Sequence, residues 1–358
     1  MKILILSRYD SLGASSRMRM LQYIPLIISS GAEIISAPLF SNSYVEEIQK
    51  DKRRFSKIFF SYLKRMKLLI FCKDIDVIWI EKECFPWIPW WFEKLFLKKN
   101  IPYFLDYDDA VFHLYDQHKH PLIKFFLMNK HPKLIKDASA IVVGNEYLFK
   151  YVQEFYNGEL HIIPTAIDLN RYPYPSKRDP KNASSPIHLG WIGQHSTAYN
   201  LKFLETTFKK LSSKKNIIFS AIGINAKIEG LSMNSLPWSY ETEVGHLNEF
   251  DIGIMPLVDG SFEHGKCGYK IIQYMACGLP VIASPVGVNK KIIDSGVNGI
   301  LASTEKEWER AINYLLDNPE LKYSMGDAGR KLVESKYCIQ VTSRKLIALL
   351  HNVGQKKG

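Results

Sequence analysis

The sequence predicts an α/β protein made of two doubly wound, parallel-sheet domains facing across a cleft, and three observations lead there. Short apolar runs at 1–7, 77–80, 103–105, 140–143 and 161–163 alternate with helical patterns, which is the rhythm of βαβ units. A stretch rich in Pro, Ser, Lys and Asn, YPYPSKRDPKNASSP at 172–186, then interrupts that rhythm and reads as a linker. Beyond it the alternation restarts, with apolar runs at 187–192, 217–222, 252–255, 281–283 and 299–301. A chain of 358 residues has room for two cores, since a single domain is typically about 100–200 residues. The expected organisation is an N-terminal domain over 1–172, a C-terminal domain over 187–340, and a terminal helix over 341–358 that packs back towards the first domain.

Each element follows from its local chemistry. The opening MKILILS is too short for a signal peptide and lacks a small-residue cleavage site, so it reads as a first buried strand. The loop YDSLGASSRMR leads into a helix expected over 15–30. Gly13 gives that loop backbone freedom, and Ser15 or Ser16 is suited to the N-cap. In the second half, helices are expected over 305–316, 320–334 and 341–353. In doubly wound sheets, ligands bind outside the carboxyl ends of the strands, so the loops that follow the strands are where chemistry is expected.

Composition narrows the partners. Apolar residues make up 46% and charged residues 23%, ordinary for a globular protein. No apolar run reaches the ~18 residues needed to cross a bilayer, so the cytoplasm is the expected compartment. Five widely spaced cysteines without a CxxC pair speak against a disulfide framework or a zinc site. The net charge of +11 calls for an anionic partner. Residues 52–73 mix eight Lys and Arg with Phe55, Phe59, Phe60 and Phe71, and 85–99 and 119–136 repeat the pattern. Such interleaving fits helices at an anionic membrane interface, or amphipathic helices whose apolar face is core. Nucleic acid is not expected, because the aromatics form apolar clusters and not an RNA motif.

The most informative segment is 250–287, FDIGIMPLVDGSFEHGKCGYKIIQYMACGLPVIASPVG. It reads as strand, glycine-rich loop, helix and strand. The helix should start near Gly268 and Tyr269 and stop at Gly278, where Pro280 prevents continuation. Lys266 precedes the start and Lys270 lies in the first turn. Cations there oppose the helix dipole unless an anion sits with them, bound by free N–H groups; a diphosphate fits. Arg17 and Arg19 repeat the anomaly in the first domain. After strand 187–192, the loop GQHST offers Gly193 for close backbone approach, and Ser196 and Thr197 for capping or phosphate contact.

The segment FLDYDDAVFH puts Asp106, Asp108 and Asp109 at a strand end. Three close carboxylates need a cation nearby or a proton. They could bind sugar hydroxyls, orient an acceptor, or hold a metal through the Asp106–Asp108 spacing. His113 is a candidate acid/base group, although an isolated histidine is more often structural.

These residues together resemble the group 1 retaining glycosyltransferases of the GT-B fold. The likeness is specific over 250–287 and is supported by GASSRMR, DYDDA, VVGNEYL, IIPTAIDLNRY and GWIGQHST. The resemblance implies a nucleotide-sugar donor on the C-terminal domain and a glycan or lipid-linked acceptor on the N-terminal one, with surface-polysaccharide assembly as the setting. It implies donor contacts by Gly13, Arg17, Gly193, Ser196, Thr197, Lys266, Cys267, Gly268 and Lys270. Relatives carry two glutamates separated by seven residues; these positions are Gly265 and Gln273 here, with Glu263 two residues before the first. Gln273 can still hydrogen-bond a ribose, and Glu263 or backbone N–H groups could replace the first glutamate. Asp108, Asp109 and His113 are the candidates for contact with the reacting groups. Retention in this family uses no enzyme nucleophile, and neither a cofactor nor a metal is implied.

Three other readings compete. A metal-dependent transferase would use Asp106 and Asp108 but needs no second doubly wound half. A nicotinamide enzyme would show GxGxxG after the first strand, where the chain has SLGASS. A membrane-associated sugar-binding protein with a degenerate donor site is motivated by Gly265 and Gln273.

Overall fold

The computed structural model describes residues 1–49, 52, 54–97, 100–174, 186–213, 216–224 and 233–355. The linker expected over 172–186 therefore lies largely outside the described residues. The chain divides into two compact units. The first comprises Met1–Ala166, Gly265–Cys267 and Thr342–Gly358; the second comprises Ile167–His264 and Gly268–Val341.

The first unit holds a sheet of six strands: β1 (Lys2–Leu6), β2 (Glu33–Ser36), β3 (Val77–Glu81), β4 (Tyr103–Tyr107), β5 (Ala140–Val143) and β6 (Glu159–Ile162). Their order is β2-β1-β3-β4-β5-β6, and every pair is parallel. The second unit has β7 (Ile187–Ile192), β8 (Ile217–Ile222), β9 (Met233–Leu236), β10 (Ile252–Met255), β11 (Val281–Ala283) and β12 (Ile300–Leu301). It follows the same plan in the order β12-β11-β10-β7-β8-β9, again all parallel. Central strands such as β3, β4, β5 and β10 are buried along their whole length, because helices cover both faces of such a sheet. That is why they read as continuous apolar runs.

Two strands escaped the sequence reading. β2 is EIIS and β9 is MNSL; each is a short edge strand, polar at both ends in β2 and in the middle in β9, so neither shows an apolar run. The helix expected over 15–30 is broken into Ala14–Arg19, a 3-10 turn Leu21–Tyr23, and Ile24–Ser29. Pro25 near the start of the last piece has no N–H to donate to the preceding turn, so the helix cannot run through.

Arg65, on the helix Phe55–Phe71, is 3% exposed and ties the first sheet together at its carboxyl edge. Its guanidinium donates to Ser7 O at 2.8 Å, Ala37 O at 2.7 Å and Cys84 O at 3.3 Å, carbonyls just past β1, β2 and β3. Burial pulls its pKa down to about 10, so it remains charged at neutral pH.

In the second unit, the helix Tyr269–Ala276 ends as the sequence requires. Gly278 has φ 63°, its N–H reaches Met275 O at 2.8 Å, and the Leu279 N–H reaches Tyr274 O at 2.9 Å. This is a Schellman stop, which glycine adopts without the penalty a Cβ brings. Glycines elsewhere let this helix sit close: a Cβ on Gly253 in β10 would enter the Tyr274 ring, and one on Gly326 would meet the Gly278 carbonyl. The Gly278→Ala variant should lose about 1–2 kcal/mol in urea denaturation; an unchanged midpoint would remove the left-handed stop from the account.

Candidate functional site

The carboxyl edge of the first sheet gathers charge. Parallel pairing sets Glu81 of β3 opposite Asp106 of β4, so two acids reach the same edge. Lys82 follows Glu81 with φ 64°, and the Glu83 N–H closes on Glu81 O at 2.7 Å around it. A three-residue turn with a positive-φ, non-glycine centre is strained, and such strain persists where the surroundings over-determine it. Here the surroundings are ionic. The Lys82 ammonium lies 2.7 Å from Asp108 Oδ1 and 3.8 Å from both Glu81 and Asp109. It also donates to Ser15 Oγ at 2.9 Å, whose hydroxyl faces Asp108 at 2.7 Å and Glu81 at 2.8 Å.

Each aspartate of the DYDD segment has its own cation. Arg19 grips Asp106 at 2.7–2.8 Å, Lys82 holds Asp108, and Lys266 reaches Asp109 at 3.0 Å. Burial pushes the Asp106 carboxyl up to about 6 against the pull of Arg19. Burial acts on Asp108 in the same direction, but Lys82 and then Arg19 outweigh it and hold that carboxyl below its ordinary range. Burial disfavours the Lys266 charge, and Asp109 reverses the balance and raises its pKa. With Asp106 and Asp108 already in separate ion pairs, the Asp-x-Asp spacing is organised around side-chain cations.

Several sequence expectations need correction. Ser15 and Ser16 do not cap the first helix: Gly13 is its N-cap, and both hydroxyls turn to Glu81, Ser16 at 2.6 Å. Gly13 has φ −77°, an ordinary value; what demands glycine is the Tyr9 side chain, which a Cβ would strike. Arg17 is 7% exposed and donates to Ser11 O at 2.6 Å, across its own loop. His113 has both ring nitrogens engaged, by Asp116 at 2.9 Å and Tyr147 at 2.7 Å, which suits a structural role. Lys266 and Cys267 belong with the first unit. Asn145 fixes this segment by donating to Gly265 O at 2.9 Å and Lys266 O at 3.0 Å. The Cys267 thiol, pushed up to about 12 by burial and then by Asp108, donates to Asp108 O at 3.1 Å.

The second unit presents a different cluster. Its strand order reverses between β7 and β10, the position at which doubly wound sheets bind ligands. The helix Tyr269–Ala276 starts nearby. Its N-cap Gly268 has φ 66°, provides no side-chain cap, and is followed by no acid in the first turn. Lys270 in that turn places its ammonium 4.1 Å from the Trp191 ring centroid and 3.5 Å from Thr197 Oγ1. Gly193 makes room: a Cβ there would come within 2.7 Å of the Lys270 ammonium. Ser196 is exposed in the 3-10 helix His195–Leu204, whose N-cap is Gln194. Thr197 donates to Gln194 O at 3.0 Å, so neither Ser196 nor Thr197 is the cap. Glu263 accepts a 2.7 Å hydrogen bond from Tyr199. Gln273 is 2% exposed and donates to Tyr172 at 3.1 Å, which in turn donates to Glu243 at 3.0 Å. One N–H of its amide is thus used inside the unit.

Residues 186–318 match the family described as glycosyl transferases group 1. Across more of the chain, an uncharacterized glycosyltransferase of Methanocaldococcus jannaschii is 21% identical over 268 residues, covering 69% of this chain and 67% of the relative. A D-inositol 3-phosphate glycosyltransferase of Arthrobacter is 26% identical over 34% of this chain and 28% of its own length. Among solved structures, sucrose-phosphate synthase of Thermosynechococcus elongatus superposes with a TM-score of 0.74 at 13% identity, over 99% of both chains. HepE of Anabaena in complex with UDP and glucose gives 0.70 at 13% identity, over 98% of this chain and 100% of that one. The fold is GT-B.

The structure explains one departure from the family pattern. Gly265 stands where relatives carry the first glutamate, and a Cβ there would lie 2.5 Å from the Ala110 backbone nitrogen. No side chain fits at that position without backbone movement. The sequence reading missed Glu81, Lys82, Arg19 as the Asp106 partner, and Trp191. A lysine between two glutamates just past an apolar strand, EKE at 81–83, was the available signal.

The Lys82→Met variant should lose about 3–5 kcal/mol at neutral pH, the cost of stripping a buried partner from an ion pair. Asp108 is depressed in the fold, so its contribution is full above the unfolded value of about 3.9 and is lost as pH falls through the folded value. Urea denaturation between pH 3 and pH 7 should therefore show the gap to wild type narrowing towards acid; a gap independent of pH would contradict the pairing.

Proposed function

We propose that this glycosyltransferase moves a sugar from a nucleotide-sugar donor to a lipid-linked or growing surface glycan, with retention of anomeric configuration and without a metal ion. The observation that carries the donor side is the Lys270 ammonium beside Gly193, at an uncapped helix start where the β7–β10 strand order reverses. A helix start with no side-chain cap and a cation beside it suit a diphosphate. Similarity to a protein solved with UDP and glucose supports a donor of that class.

The chemistry asks little covalent work of the protein. The bond from the sugar C1 to the diphosphate oxygen breaks, the acceptor hydroxyl oxygen bonds to C1 on the same face, and its proton passes to the departing diphosphate. Lys270 and the helix N–H groups stabilise the charge that grows on the leaving diphosphate, and positioning supplies the rest. The acceptor is assigned to the first unit. There Asp109 is 22% exposed and fixed by Lys266, which suits a hydrogen bond to an acceptor hydroxyl. Asp108 supports it from the more buried position beside Lys82.

A lipid-linked acceptor is supported by surface chemistry. Among the described residues no helix is long and apolar enough to cross a membrane. The helix Phe55–Phe71 turns Leu69 and Arg65 inward and leaves Phe55, Phe59, Phe60, Leu63 and Phe71 exposed, with Lys64 and Lys67 among them. The helix Pro121–Leu127 likewise exposes Leu122, Phe125 and Phe126. Exposed aromatics mixed with lysines suit peripheral binding at an anionic membrane, at its cytoplasmic face. A second reading, a sugar-nucleotide-binding protein that does not turn over, is favoured by the excluded side chain at Gly265 and the buried Gln273.

Purified protein screened against a panel of nucleotide sugars, with chelator present, should show a donor-dependent thermal shift and slow donor hydrolysis. Binding without any turnover would favour the second reading. Lys270→Ala should weaken donor binding by about tenfold or more, as a charged hydrogen bond is worth ~1.5–3 kcal/mol; a folded variant with normal affinity would sink the diphosphate assignment. Replacing Lys64 and Lys67 by Gln should lower affinity for anionic vesicles about fivefold per charge, since each is worth ~1 kcal/mol near the surface, and unchanged binding would count against membrane association.

A further inference from the structure

Arg8 lies two residues past the end of β1, next to β3, where the strand order of the first sheet reverses. Its side chain is 18% exposed, yet among the described residues its guanidinium makes no hydrogen bond, and Nε is buried without a partner. Its nearest opposite charge is Glu83 Oε1 at 3.8 Å. Glu83 does not need it: Lys130 binds that carboxylate at 2.6 Å, and Tyr115 donates to it at 2.9–3.0 Å. A buried guanidinium Nε–H without an acceptor is costly, and native proteins rarely keep one without a use.

A second irregularity meets the same carboxylate. Trp87 holds a positive φ of 62° although it is not glycine, and it is 45% exposed. Its N–H donates to Tyr115 Oη at 3.0 Å, and its ring meets the Tyr115 ring edge-on at 5.1 Å. Tyr115 thus links the strained tryptophan to Glu83, the residue beside Arg8. Strained backbone that presents an exposed aromatic is more often functional than accidental.

We propose that Arg8 binds an oxyanion, a carboxylate or phosphate, on a sugar acceptor, and that Trp87 supplies the apolar face against which the sugar ring packs. This rests on the reading that the first unit takes the acceptor. The guanidinium fork matches two coplanar oxygens of either group. Glu83, already saturated by Lys130 and Tyr115, keeps the fork oriented without consuming its donors. The acceptor class is therefore an acidic sugar or a sugar phosphate, and a neutral sugar is disfavoured.

The test uses the full-length protein and four probes in titration calorimetry: methyl glucuronide, glucose 6-phosphate, inorganic phosphate and neutral methyl glucoside. Wild type should bind at least one of the two anionic sugars about tenfold or more tighter than methyl glucoside, and whichever wins identifies the oxyanion. Arg8→Gln should abolish that preference while melting at the same temperature or higher, because it removes an unsatisfied buried group; a purely structural arginine would lower the melting temperature. Trp87→Ala should weaken all three sugars and leave inorganic phosphate unaffected. Equal affinity for charged and neutral sugars in wild type, or a preference that survives Arg8→Gln, would overturn the proposal. The donor-dependent thermal shift should persist in Arg8→Gln. A protein that binds no donor yet keeps an Arg8-dependent anion preference would overturn the transferase reading and leave this one standing.

Discussion

The ion pair between Lys82 and Asp108 governs the carboxyl edge of the first sheet. Three aspartates follow closely on β4, and Glu81 stands beside them on β3. Without cations, that many carboxylates could not ionise together. Lys82 meets the need by leaving its strand through a positive-φ turn, a conformation that costs energy and persists because the ammonium is over-determined by Asp108, Ser15, Glu81 and Asp109. Arg19 and Lys266 then divide the remaining aspartates between them. A buried network of this kind contributes little net stability over an apolar one; its effect is to fix each carboxylate in place. Asp109, the most open of the three, inherits that rigidity.

The second unit solves a different problem with a similar economy. It leaves a helix start without a capping side chain or a first-turn acid, and sets a lysine into it over the Trp191 ring. Both choices disfavour the unliganded state slightly and favour an anion. Small residues make the geometry possible. Gly193 clears space for the ammonium, Gly253 lets the helix approach β10, and Gly278 ends it in a left-handed turn. Much of the pattern over 250–287 is therefore steric, with glycines where a Cβ would collide.

The fold was largely legible because buried parallel strands announce themselves as apolar runs. β7, β8, β10 and β11 lie where those runs lie, and the stop at Gly278 follows from the glycine followed by proline. The edge strands β2 and β9 were not legible, since edges need no apolar run. At the site, residue types were readable while their partners were not. Asp108, Asp109, Lys266 and Lys270 could be singled out in sequence. That Lys266 answers Asp109, 157 positions away, could not, because the pairing depends on which strands become neighbours. For the same reason the bond from Arg17 to the Ser11 carbonyl could not be read in advance.

Alternation of apolar runs and helices, and the glycine-bounded helix at 269–276, determined by themselves that this chain forms two parallel α/β units. Those signals are local, set by burial, backbone conformation and capping within a few residues. Only the tertiary structure decided which charges cancel. It paired Arg19, Lys82 and Lys266 with three aspartates, turned Gln273 inward, and filled the space beside Gly265 with Ala110. It also left Arg8 Nε buried without an acceptor. Coulomb energy and steric exclusion depend on distances between residues far apart in the chain, and those distances exist only once the strands have taken their order.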